Sequence, residues 1–288
     1  MKIALDTYML RGLSLPEVMR IAAETGYKYI EPMMRDDLIP LYTAPRANKD
    51  TIAQYKGALR ETGVQVASLP AIYKWSWPNE EERQAAVYYW KKAIQVAVEM
   101  ECKTMNTEFS GRPERQEASE ASFWRSMEEL LPLFEKEGIT LHIEPHPDDW
   151  VESNNAAVDI IRAIDSPNIR YLYCAPHTFH MGGDLEGMIR YAAPVVGHVH
   201  VADTFDYRQP VRYIVQPAGT AFRVHQHLKI GQGDIDWDVF FKTLRVIGFD
   251  GIMTAAVYGW DEKAIEIDRY MLEQITYYLD KYPAMAKG

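Results

Sequence analysis

The chain is poor in the features that place a protein outside the cell, in a membrane or on a nucleic acid. Its 288 residues include two cysteines, Cys102 and Cys174, too few for a disulfide framework and in keeping with a reducing compartment. No stretch approaches the ~18 uninterrupted apolar residues of a membrane span. The apolar run in MKIALDTYMLRG is too short for a secretory signal, so a cytoplasmic location is expected. Positive charge is also scarce: 31 Lys and Arg face 41 Asp and Glu, a net charge of −10. Without a basic patch to release counterions, nucleic acid is not an expected partner. A Gly-rich phosphate loop is missing too, since the first apolar run leads into D-T-Y-M-L-R-G-L-S-L-P rather than G-x-G-x-x-G. What remains is 47% hydrophobic and 25% charged, ordinary for a globular protein with a large core.

Short apolar runs alternate with longer amphipathic segments along the whole length. The expected strands are Lys2–Tyr8, Tyr27–Met33, Val64–Pro70, Cys102–Phe109, Ile139–Pro145, Ile169–Cys174, Val196–Ala202 and Gly251–Val257. They read as near-continuous Ile, Val, Leu, Met and Tyr, as parallel strands covered on both faces do. The expected helices are Leu15–Glu24, Lys49–Thr62, Glu80–Glu99, Glu117–Lys136, Asn155–Ile164, Asp184–Ala192, Trp237–Val246 and Glu262–Tyr282. One phrase recurs: A-E-T-G-Y-K-Y-I, R-E-T-G-V-Q-V-A, E-K-E-G-I-T-L-H and R-V-I-G-F-D-G-I. Each is a helix end, a glycine suited to a left-handed C-cap, and a strand. Eight such units predict an α/β fold, a single (β/α)8 barrel over residues 1–288. An open doubly wound sheet is the rival. The longest segment outside the repeat, 204–232, lies between the seventh strand and the seventh helix, and a loop of that length belongs to function.

All eight histidines fall between His142 and His227, and four form the pairs His198/His200 and His225/His227. Spacing of two puts both members of a pair on one face of extended chain, and neutral imidazole is the commonest metal ligand. Buried, hydrogen-bonded histidines are the rival reading. Active sites of barrels form at the C-terminal strand ends. Those ends carry Asp6, Glu31, Ser68, Asn106 with Glu108, Glu144 with His146, Cys174 with His177, and His200 with Asp203. Strand eight, T-A-A-V-Y-G-W, offers nothing charged. Asp6 is open to a turn-capping role and Asp203 to anchoring the long loop, while His142 and His198 are expected to face the helix layer. Cys174 reads either as a small core hydrophobe or as a thiolate ligand of a soft metal. Cys102 is expected to be structural. The aromatic run Tyr73 to Trp77 is either a sugar-stacking lid or an apolar plug. Lys74 and Arg212 are the candidate cations for a substrate carboxylate or phosphate, and Glu31, Glu108 and Asp203 complete the expected substrate contacts.

I-E-P-H-P at strand five, Y-x-x-x-P-H at strand six, H-V-H-V-A-D at strand seven and I-G-Q-G-D-I-D-W before helix seven resemble the xylose isomerase-like TIM barrel superfamily. That group holds sugar isomerases, ketose 3-epimerases, inosose dehydratases and endonuclease IV enzymes. More narrowly, A-P-H-T-F, R-Y-I-V-x-P-x-G and V-H-Q-H resemble the myo-inositol catabolism protein H group. The resemblance implies one divalent metal held by Glu, Asp, His and Glu from strands five to eight. Glu144 and His200 match that pattern; Cys174 replaces the aspartate and Ala256 the last glutamate. Loss of the strand-eight carboxylate puts a two-base epimerase mechanism in doubt. The endonuclease IV pattern implies a further zinc, on His177, His225 and His227, with His225 standing where that family has aspartate.

The expected metal ligands are therefore His177, His225 and His227, with Glu144 and His200 beside them. Zn²⁺ or Mn²⁺ suits such a set, Fe²⁺ is acceptable, and Mg²⁺ is a poor match. The resemblance implies a metal-dependent isomerase or lyase acting on a small keto-sugar, inosose or related polyhydroxy carbonyl compound through an enediolate. Glu144 is the expected base and His146 its reserve. A small-molecule sugar or polyol-derived substrate and a homo-oligomer are the expected partners, with no nucleic acid and no membrane. Two other classes stay open: a metal-dependent phosphodiesterase or abasic-site nuclease, and a non-catalytic sugar-binding barrel.

Overall fold

The computed structural model describes residues 1–33, 35–39, 44–205, 213–215, 221–223 and 226–283, the two three-residue pieces as backbone. Its strands in chain order are β1 (Lys2–Asp6), β2 (Tyr29–Glu31), β3 (Gln65–Val66), β4 (Leu69–Pro70), β5 (Thr104–Glu108), β6 (Thr140–Glu144), β7 (Ile169–Cys174), β8 (Val196–Val201), β9 (Tyr213–Val215), β10 (Ala221–Arg223) and β11 (Ile252–Ala255). Nine of them form one parallel sheet in the order β3-β2-β1-β11-β8-β7-β6-β5-β4. β9 and β10 pair antiparallel within the long loop, a hairpin that the sequence reading left as irregular chain.

The two ends of the sheet, β3 and β4, are consecutive pieces of the expected strand Val64–Pro70. Ala67 N–H donates to Ile30 O at 2.9 Å, and Ala71 N–H donates to Asn106 O at 3.0 Å. The first half of this strand thus serves β2 and the second half serves β5, and the chain itself closes the barrel. Pro70 has no N–H to give to a ladder, which is one reason the strand is not continuous. With β3 and β4 counted as one, eight parallel positions close into the α/β TIM barrel.

The helices are α1 (Leu15–Thr25), α2 (Lys49–Thr62), α3 (Glu80–Glu99), α4 (Gln116–Glu137), α5 (Asn154–Ile164), α6 (Ala175–Thr178), α7 (Leu185–Ala192), α8 (Trp237–Val246) and α9 (Ala264–Lys281). All eight expected helices are present within a residue or two of their expected ends, and the four-residue α6 is an addition. The repeated phrase works as read: Gly26, Gly63 and Gly138 close α1, α2 and α4 at φ of 96°, 71° and 62°. Among the described residues no helix is long and apolar enough to cross a membrane. The main core lies between strands and helices, where Trp75, Trp90, Phe123, Phe134, Phe240 and Phe241 are fully buried. Each such side chain contributes about 1.5–3 kcal/mol on burial. Tyr73 and Trp75 join this core, Trp75 packing on Trp90 and Phe123 at centroid distances of 5.2 and 5.4 Å. Of the aromatic side chains in that run only Trp77 is left partly exposed.

Inside the barrel the filling is mostly polar. Ala4, Ala67 and Ile252 make a small apolar cluster with Tyr29, while Asp6, Glu31, Asn106, His142, Glu144, His198, His200 and Thr254 are buried with them. This corrects the expectation for His142 and His198, which do not face the helices. Residues two apart share a strand face, so His198 points inward with His200, and His142 inward with Glu144. Their rings meet at 5.4 Å.

Candidate active site

Five segments deliver the central side chains to the C-terminal mouth. Glu144 ends β6, Cys174 ends β7 and His200 lies near the end of β8. Pro176 lies in the first turn of α6, where no N–H is needed, and this single turn brings His177 beside Cys174. Thr178 Oγ1 donates to Cys174 O at 3.1 Å and fixes the turn. His227 arrives on the return arm of the long loop, where Asp203 and Leu228 exchange both backbone hydrogen bonds at 2.7 and 2.9 Å. Tyr258 N–H donates to His227 O at 2.9 Å and ties that arm to the residues after β11.

These side chains converge. Glu144 Oε2 lies 3.2 Å from His177 Nδ1 and 3.5 Å from His200 Nδ1. His177 Nε2 lies 3.2 Å from His227 Nε2. Ligand atoms of Cys174, His177 and His227 fall within 4.8 Å of one another, as do those of Glu144, Cys174 and His200. All five residues are buried. His227 Nδ1 donates to Ala256 O at 2.7 Å, since a carbonyl only accepts, and burial lowers the His227 pKa to about 3. Neutral His227 therefore presents a lone pair at Nε2 to the cluster. Burial alone would lower the His200 pKa as well, but Glu144 and Glu31 outweigh it and raise it to about 9. Burial, then Glu144, pushes the Cys174 thiol well up in the absence of a cation.

The donor set fits a divalent metal. Glu144 Oε2 and His200 Nδ1 are buried without a hydrogen-bond partner, an arrangement costly for polar atoms unless a cation completes them. Imidazole, thiol and carboxylate are the groups zinc takes, and a sulfur donor disfavours Mg²⁺. The expected ligands Glu144, His177, His200 and His227 are thus together, with Cys174 added; His225 lies outside the described residues.

A second, more open cluster adjoins the first. His146 Nε2 is 3.8 Å from Glu108 Oε1, and these side chains are 25% and 14% exposed, which marks the side on which a ligand can enter. Asp149 completes the group, its Oδ2 accepting from Ser110 N–H at 2.6 Å. His146 Nδ1 donates to Pro147 O at 2.7 Å, and the ring lies 4.6 Å from that of His177. Burial and then the carboxylates Glu144 and, for Asp149, Glu108 hold both acids above their ordinary range. Burial opposes the charging of His146, but Glu108 and Asp149 raise its pKa.

Two expected substrate contacts are occupied otherwise. Asp203 is fully buried, and its carboxylate accepts from Thr204 N, Gly231 N, Ile235 N and Trp237 Nε1 at 2.8 to 3.2 Å. It anchors the loop and has no oxygen to offer a substrate. Glu31 is fully buried beneath the mouth, and both of its oxygens are taken by protein groups. Lys74 lies over the Trp77 ring at 3.8 Å, with Arg112 at 4.1 Å from the same ring; Arg212 lies outside the described residues. Asp6 caps a turn, its Oδ1 accepting from Tyr8 N–H at 2.7 Å. Tyr258, which charge-based reading passed over, donates to Asp6 Oδ2 at 2.9 Å and stacks on His227 at 4.3 Å.

Residues 19–274 match the family model described as xylose isomerase-like TIM barrel. An inosose isomerase of Bacillus velezensis is 22% identical over 258 residues, covering 86% of this chain and 85% of that protein. Among solved structures, D-psicose 3-epimerase from Clostridium cellulolyticum H10 superposes at a TM-score of 0.74 with 14% identity, covering 99% of this chain and 100% of that one. An IOLI protein with a bound zinc atom gives 0.74 at 19% identity, with the same coverage of 99% and 100%. With its sequence matched over most of its length and its barrel closed as described, the chain belongs to the xylose isomerase-like TIM barrel family.

Proposed function

We propose that this protein is a divalent-metal-dependent isomerase acting on a small polyhydroxy carbonyl compound, a keto-sugar or an inosose. The observation that carries this reading is the convergence of Glu144, Cys174, His177, His200 and His227 at the mouth, with Glu144 Oε2 buried and without a hydrogen-bond partner. The inosose isomerase relatives and the epimerase folds support the substrate class. Cys174, His177 and His227, with Glu144 and His200 facing them, are the residues that would hold the ion, and zinc suits that set. When bound, the metal supplies Lewis-acid polarisation of a carbonyl and its neighbouring hydroxyl.

The chain's own residues then divide the proton work. Glu144 removes the proton from the carbon next to the carbonyl, leaving an enediolate on the substrate. The strand-eight carboxylate that returns a proton in two-base epimerases is absent, because Ala256 stands in its place. His146, whose pKa Glu108 and Asp149 raise, sits on the open side of the cluster and returns the proton at the neighbouring carbon. Delivery at a neighbouring carbon is isomerisation, and loss of a β-hydroxyl from the same enediolate is the lyase variant. The test is solvent-deuterium incorporation into inososes and ketoses by protein reloaded with Zn²⁺ or Mn²⁺. Metal-dependent exchange at the carbon next to the carbonyl is the expected result. Protein that carries no transition metal and exchanges nothing would leave a non-catalytic barrel, and incision of abasic duplex DNA would favour the nuclease class.

A further inference from the structure

The interior of the barrel contains a carboxylate that the proposed reaction does not use. Glu31 on β2 is fully buried, and its carboxylate meets side chains from three other strands. Its Oε1 accepts from Asn106 Nδ2 at 3.3 Å and lies 3.2 Å from His200 Nε2. Its Oε2 accepts from Thr254 Oγ1 at 3.0 Å and lies 3.3 Å from His198 Nε2. Asn106 is itself oriented, since its Oδ1 accepts from Ser68 Oγ at 2.6 Å. A carboxylate has no proton to give, so the neighbour at Oε1 must bring one.

Of the two nitrogens of His200, Nε2 faces Glu31, while Nδ1 faces Glu144 and makes no hydrogen bond although it is buried. We propose that Glu31 is a positioning residue that keeps the proton of neutral His200 on Nε2 and so leaves the Nδ1 lone pair as the atom offered to a metal held with Glu144 and Cys174. The inference rests on the metal reading given above. A carboxylate behind the far nitrogen is the usual way a histidine ligand is oriented and made more basic. Asn106 and Thr254 do the same for Glu31 in turn, so a chain of hydrogen bonds runs from Ser68 through Asn106 on β5, and from Thr254 on β11, to the ligand. The bonds to Glu31 are made within the protein and need no ligand, which sets this carboxylate apart from Glu144.

Zinc titration and ring-nitrogen NMR of histidine-labelled protein test the proposal. In the zinc-loaded wild type, His200 should show a proton on Nε2 and a metal-shifted Nδ1. A proton on Nδ1 would overturn the proposal without needing any variant. Glu31→Gln replaces one oxygen with an N–H donor, and it should weaken zinc binding by about 10- to 100-fold, the range for lost outer partners of a ligand. Glu31→Asp, which keeps the charge, should recover part of that loss. A Glu31→Gln protein with unchanged zinc affinity and an unchanged His200 signature would also overturn the proposal. If the wild type takes up no zinc, the proposed function fails instead. His200 is then read in zinc-free protein with its ring neutral, where Nε2–H still supports the role of Glu31 and Nδ1–H still refutes it.

Discussion

Replacing His227 by alanine separates the metal site from the scaffold. The imidazole hydrogen bonds to Ala256 O at 2.7 Å and stacks on Tyr258 at 4.3 Å with an interplanar angle of 18°. Losing the hydrogen bond and leaving the carbonyl unpaired costs about 1–3 kcal/mol, and losing the stack costs about 1 kcal/mol. For a chain of this size each kcal/mol lowers Tm by about 2 °C, so the metal-free variant should melt roughly 6 °C below the wild type. It should still fold, because the buried layer between strands and helices does not involve His227. Zinc at about a hundredfold excess over Kd should stabilise the wild type by about 2.7 kcal/mol, or about 5 °C. In His227→Ala that increment should vanish along with activity. Calorimetry of both proteins with and without Zn²⁺ reads both effects. A variant that keeps the full zinc increment, or one that no longer folds, would refute the reasoning.

Glu144→Gln should keep the fold and lower turnover by about 10²-fold or more, the scale of a lost general base, and steady-state assay of the metal-loaded protein checks this. His146→Ala should cost less in turnover and leave deuterium exchange at the substrate α-carbon in place, since Glu144 still removes that proton; full exchange in Glu144→Gln with none in His146→Ala would reverse the two roles. Asp268 on α9 has its pKa raised from 3.8 to about 8 by burial and then by Asp6. The folded state holds that proton after the unfolded chain has released it, so this group makes stability fall as pH rises from about 4 to 8. Asp268→Asn should therefore flatten the fall in urea-unfolding free energy by several kcal/mol, at most on the order of 5, and an unchanged slope would show that the carboxyl is not the cause. A Cβ at Gly251 would stand 2.1 Å from Gly197 O, so Gly251→Ala should destabilise by about 1–3 kcal/mol in denaturant melts, where an unchanged midpoint would contradict the close strand approach.

The barrel was legible because each unit repeats a local signal. An amphipathic helix, a glycine free to turn left-handed and an apolar strand are all dictated by neighbours in sequence, and Gly26, Gly63 and Gly138 adopt that backbone. The break in Val64–Pro70 was not legible, because it depends on which strands flank it in space. The site divided along the same line. Glu144, Cys174 and His200 follow from strand ends alone, whereas His177 depends on a single helical turn and His227 on a bridge between Asp203 and Leu228. For Asp203 the sequence left substrate contact and loop anchoring both open, because its four donors come from the chain that follows it and no spacing rule reports them. Tyr258 was missed because a search for charge ignores a phenol that supports a histidine by stacking.

Two buried carboxylates inside one barrel show where a cation belongs. Removing a carboxylate from water costs several kcal/mol unless its oxygens are paired. Glu31 meets that condition within the protein through Asn106, Thr254, His198 and His200. Glu144, on a neighbouring part of the same interior, leaves Oε2 buried without a hydrogen bond while two histidines and a thiol crowd round it. If both acids were structural, each would be expected to be saturated, as buried polar groups ordinarily are. The contrast assigns the internal network to Glu31 and the exchangeable partner to Glu144. It also accounts for histidines standing in the barrel interior, where aliphatic side chains usually pack: His198 and His200 face Glu31, while His200 also faces Glu144.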